Sequence, residues 1–149
     1  LVAVQGKVTA HHSPALRQFV WSAIDDGVHE VQIDLSRCHY GDSTFVGTLL
    51  QIRKACGDAV RLQLMAPTPE FENTLKNMGL QRLFDCGVAP FRDDFDGLPL
   101  SVEQSGRCSR EFCENVATAH RELADSSTEG RDRYLLIAEA AERELSTRG

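Results

Sequence analysis

"VQIDLSRCHYGDSTFVGTLLQIRKAC", residues 31–56, changes its period halfway. Up to Leu35 the apolar residues Val31, Ile33 and Leu35 alternate with polar ones, the mark of a strand; Val28 precedes them. From residue 42 they recur at helical spacing: Phe45, Val46, Leu49, Leu50, Ile52 and Cys56, with Gly57 as the stop. The loop "RCHYG" separates the two patterns. Asp42, Ser43 and Thr44 then stand where the helix must begin. A carboxylate or hydroxyl there accepts hydrogen bonds from backbone N–H groups that have no partner within the helix. One cap needs one such residue. Three in a row raise the question of what the second and third do.

The same alternation continues on both sides. "LVAVQGKVT" reads as a strand ending near Gly6. "HHSPALRQFVWSAIDDG" reads as a helix with Ser13 as N-cap, Pro14 in the first turn and Gly27 as its end. "AVRLQLMA" is a third strand, and "PTPEFENTLKNMGL" a helix opened by Pro69 and Glu70 and closed by Gly79. "QRLFDCG" supplies a short last element. Strand and helix alternating in this way predict an α/β fold. "APFRDDFDGLPLS" has prolines and an acidic cluster but no period, and reads as a linker. From Ser109 the pattern is helical twice over. One stripe is Phe112, Val116, Ala119 and Leu123; the other is Tyr134, Ile137, Ala141 and Leu145. Ser126 with Glu129 reads as a capping box between them. The expected division is a domain at 1–88, a linker at 89–101 and a helical hairpin at 102–149. Its stripes are thin, so it must fold back on the first domain or pair with a second chain as a homodimer.

Composition narrows the function classes. The 149 residues carry a formal charge of −6, which argues against nucleic acid as a partner. Charge does not separate the parts: residues 1–99 hold 9 Lys/Arg and 12 Asp/Glu, and residues 100–149 hold 7 and 10, each −3. No apolar run reaches the ~20 residues of a membrane span, so no membrane insertion is expected. The five cysteines are odd in number and scattered without C-x-x-C, which suits a reducing cytoplasm and neither a disulfide framework nor a zinc site. "GDST" lacks the G-K-[ST] of a phosphate loop, and no other cofactor motif is present. Cys38-His39 invites a thiol-enzyme reading, but neighbours on extended chain point apart. His29 and His120 carry no recognisable motif.

The ordered set of segments resembles the STAS domain, the fold of bacterial anti-sigma factor antagonists. The resemblance runs through Asp34, Leu35 and Ser36, then Tyr40, then the triplet Asp42, Ser43 and Thr44, with Gly47, Leu49 and Leu50 in the helix that follows. "GKVTAHHSPAL" resembles an upstream family segment through Gly6, Val8, Ala15 and Leu16, and "RLQLMAPTPEFENTLKNMGLQRLFD" a downstream one. Two residues depart from the family pattern: Phe45 stands where the family has glycine, and Thr9 where it often has aspartate. The resemblance implies a STAS-like sandwich of a mixed β-sheet with helices, to which the C-terminal hairpin is added. It implies a regulatory protein-binding module, not an enzyme. By carry-over Ser43 is the phosphoacceptor, and the partner is an anti-sigma factor or serine kinase. The implied partner surface is Thr9, His11, His12 and Ser13 with Tyr40, Asp42, Ser43, Thr44, Phe45 and Gly47. The alternative within the family is a docking subunit of a stress-signalling or lipid-transport assembly, without phosphorylation.

Overall fold

The computed structural model describes residues 1–88, 97 and 109–148. Among the described residues four strands and five helices follow in the order β1 (Val2–Val8), α1 (Ser13–Asp25), β2 (Glu30–Gly41), α2 (Ser43–Cys56), β3 (Arg61–Met65), α3 (Pro69–Asn77), β4 (Asp85–Gly87), α4 (Arg110–Ser126) and α5 (Arg131–Thr147). The strands lie side by side in sequence order, and every pairing is parallel. Ile33, for example, sits between Val2 and Leu64. The mixed sheet expected from the resemblance therefore has no antiparallel member among the described residues. The reason is topological: each successive strand is reached through a helical crossover, which returns the chain in the same direction.

The sheet has two unlike sides. Val31, Ile33, Leu35 and Leu64 are buried against the helices, with Leu49, Ile52, Phe71 and Leu75 in the same core. The alternate positions carry a polar row. Gln32 donates to Glu30 (3.2 Å) and to Gln63 (3.5 Å), and Gln63 donates to Asp85 (2.9 Å). Period-2 geometry alone assigns the two sets to opposite sides.

Several boundaries differ from the sequence reading. β1 runs on to Val8 and β2 to Gly41, because Gln5, Gly6, Lys7 and Val8 pair with Arg37, Cys38, Tyr40 and Gly41. The loop expected at "RCHYG" is therefore strand. Ser13 is not a cap. It is the first residue of α1, fully buried, and its hydroxyl donates to the Thr9 carbonyl (3.2 Å). The chain already turns at Thr9–His12, where the His12 N–H bonds the Thr9 carbonyl, so the cap position moves back to His12. The Ser126–Glu129 capping box is also absent. α4 continues through Ser126, and Gly130, at φ +73°, takes the cap position of α5. The expected linker at 89–101 lies outside the described residues except for Gly97.

Candidate functional site

The answer to the triplet begins with Asp42. It caps α2 with one carboxylate oxygen, which accepts the Phe45 N–H at 2.8 Å. Its other oxygen accepts the Ala10 N–H at 2.8 Å. One side chain thus ties the start of α2 to the loop between β1 and α1. A hydroxyl has too short a reach and too few acceptor positions to replace it in both bonds. The two stretches singled out in the sequence, 9–13 and 40–47, meet at this carboxylate.

Thr44 and Phe45 turn inward. Thr44 is buried, and its carbonyl accepts the Thr48 hydroxyl at 2.9 Å. Phe45 is 0% exposed, with its ring edge-on to Phe71 at 6.0 Å. A side chain at Gly41 would fall 2.7 Å from the Phe45 ring and 2.8 Å from the Phe71 ring. The bare backbone of Gly41 and the bulk of Phe45 are thus complementary. Phe45 is core, and in this conformation it offers no surface to a partner. Tyr40 is 50% exposed, and His12 is exposed as well.

Ser43 turns the other way and meets α4. Its Oγ lies 2.9 Å from Nε2 of His120, which is 2% exposed. The other ring nitrogen, Nδ1, is 2.8 Å from the Val116 carbonyl. A carbonyl only accepts, so Nδ1 carries the hydrogen of the neutral ring. Nε2 is then the acceptor and the Ser43 hydroxyl donates. Burial pushes the His120 pKa below the usual histidine value; the Val116 carbonyl and the charge of Asp42 oppose this with smaller effects.

His120 is one of a row of contacts. The Phe112 ring lies 4.9 Å from the His11 ring. Asn115, fully buried, donates to the Ala10 carbonyl (3.4 Å) and accepts from Arg17 (3.0 Å). At Gly47 the two backbones nearly touch. A Cβ there would meet the Ala119 carbonyl oxygen and lie 2.8 Å from its carbonyl carbon. At the hairpin turn the Ser127 hydroxyl is 2.7 Å from the Met78 carbonyl. So α4 lies along the very face on which the candidate residues gather. His120 was not legible in the sequence. The available signal was two polar residues, Asn115 and His120, lodged among the apolar positions of a helix that had to bury that side.

The thiol-enzyme reading fails on geometry. Cys38 is fully buried, its Sγ is 3.7 Å from the Tyr40 carbonyl, and burial raises its pKa. His39 is exposed on the opposite side of the same strand. Among the described residues no group of His, Cys, Asp and Glu is arranged to hold a metal. No helix among them is long and apolar enough to cross a membrane.

No curated protein matches the chain. A family model described as "Mlab, STAS domain" matches residues 1–85, a span that ends within β4 and so takes in β1–β3, α1–α3 and the α2 cap, but neither helix of the hairpin. That span is more than half of the chain. Membership supports a regulatory or docking role: this chain belongs to the STAS domain family.

Proposed function

We propose that the protein is a regulatory docking module of the anti-sigma factor antagonist kind. It binds an anti-sigma factor or serine kinase through the start of α2 and the β1–α1 loop, and phosphorylation of Ser43 is the switch. The observation that carries this reading is the division of labour in the triplet. Asp42 does the capping and Thr44 is buried, which leaves the Ser43 hydroxyl free of any role in holding α2 together.

The chemistry of the switch follows from that position. A phosphoryl group adds about −1.5 to −2 charges at pH 7. The first turn of a helix favours an anion through its free N–H groups and dipole, so α2 tolerates the modification. The docking face does not: a bulky dianion must be desolvated under any partner.

The test is incubation with ATP and an active serine kinase of the anti-sigma type, followed by mass spectrometry. One phosphate on Ser43 is expected. Ser43→Ala should lose the phosphate and keep partner binding, and Ser43→Asp should weaken binding. Phosphate found only at another residue overturns the switch.

A second reading has its own support. The Ser43 hydroxyl is already engaged by Nε2 of His120 at 2.9 Å while α4 is seated, and the family model carries the name Mlab. In that reading the same face docks a partner subunit without phosphorylation. Partner binding with Ser43 never modified would select it.

A further inference from the structure

We infer that α4 is a displaceable occupant of the docking face, and that a partner reaches this face with a helix of its own carrying a small residue over Gly47. The inference rests on the docking reading above and adds how the face is regulated and what fits it. It starts from what α4 covers. His11, Ala10, Ser43 and Gly47 all lie beneath it, in contact with Phe112, Asn115, His120 and Ala119. With α4 in place Ala10 and Gly47 are buried, and His11 and Ser43 are partly covered.

The contact is also of a kind that opens. The apolar side chains buried on α4 are mostly small: Cys113, Ala117, Ala119 and Ala124, with Leu123 as the large one; Asn115 and His120 are the buried polar ones. Small side chains remove little apolar surface from water, so each contributes little to holding the helix down. The ion pair between α2 and α4, Lys54–Glu122, is 3.5 Å long with the lysine 73% exposed, and such pairs add little. The polar groups on α4 meet uncharged hydrogen-bonding groups of the face and one cation, Arg17, which donates to Asn115 but also to Gln51 of α2 and so keeps a partner there. Asn115 bonds the Ala10 carbonyl and His120 the Ser43 hydroxyl. Water satisfies each of these when the helix lifts, so no charge is stranded.

The hairpin is better joined within itself. Arg121 grips Glu142 with two hydrogen bonds (2.9 and 2.7 Å), and Tyr134 and Ala138 of α5 are buried. It can therefore leave as a unit. The slot it vacates is specified by Gly47, whose missing side chain lets a backbone approach. A helix with Gly, Ala or Ser at the crossing fits that slot; a bulky residue does not. α4, with Ala119, is the template for the partner.

The experiment compares amide hydrogen exchange of the full chain with that of Ala119→Leu, whose larger side chain has no space at the crossing. In the native chain, residues 110–126 and the first turn of α2 should exchange together, roughly tenfold faster than β2 and β3. In the variant their exchange should rise by a further factor of about ten, with β2 and β3 unchanged. A synthetic peptide of residues 109–148, added to the variant, should restore protection to the first turn of α2. If Ala119→Leu does not fold, His120→Ala tests the same point with a smaller perturbation. Hairpin amides that exchange only as slowly as β2 and β3 overturn displaceability. Failure of the peptide to protect an opened face overturns the helical partner. A native chain that sediments as a dimer, with the dimer lost in the variant, overturns the assignment of the hairpin to its own chain. An opened face that protects with peptide yet binds no anti-sigma factor or kinase leaves this inference standing and defeats the docking reading on which the partner's identity rests.

Discussion

Phe45→Ala lowers the unfolding free energy by about 3–5 kcal/mol, the usual range for emptying a buried phenylalanine site. Domains of this kind are stable by only about 5–15 kcal/mol in total, so the loss is a large part of the whole. The site cannot close over the gap easily. Gly41 has no side chain to move into it, and Phe71 already meets the Phe45 ring edge-on. Restoring the family's glycine at this position costs about 1 kcal/mol more, because glycine is a poor residue inside a helix. Urea unfolding followed by circular dichroism measures both. A loss under about 1 kcal/mol would mean that the ring is not in the core.

Asp42→Ala is expected to cost about 2–4 kcal/mol, in two parts. Loss of the N-cap is worth about 1 kcal/mol. The N–H of buried Ala10, left without its acceptor, adds about 1–3 kcal/mol. Asp42→Asn separates the two. Its single oxygen can keep the cap, but its amide then points a donor at the Ala10 N–H, so about half the loss remains. Equal stability of Asp42→Asn and the native chain would show that the second bond contributes nothing. The effect reaches the proposed docking face directly, since the Ala10 loop and the start of α2 are registered by this one carboxylate.

What the sequence made legible was local. The change of period at residues 35–42, the Asp42 cap and the Gly57 stop depend on neighbours within four residues, and α2 begins and ends where those signals place it. Ser13 misled because Ser-Pro is a good opening signal, while the turn at Thr9–His12 had already started the helix. Phe45 stood out as a departure from the family, and only Gly41 and Phe71 in space explain it. His120 was passed over because its partner, Ser43, is 77 positions away. No periodicity reports such a contact. The resemblance could not supply it either, because the matched span ends at residue 85 and α4 lies beyond it.

The seat of α4 against Ser43 is the central contact of the proposed switch, and the titration of His120 reports it. A histidine whose pKa is depressed by burial binds its proton more weakly folded than unfolded. Stability is then fully present above the unfolded value of about 6.5 and is lost as the pH falls from there towards the lower folded value. NMR of the imidazole, followed from about pH 8 to 5 beside urea unfolding over the same range, makes the measurement. The prediction is a His120 pKa below that of a free histidine, stability that declines with acid, and a return of the pKa towards the free value in Ala119→Leu. A His120 that titrates as a free histidine in the native chain, with stability unchanged by its protonation, would contradict the placement of α4 against Ser43.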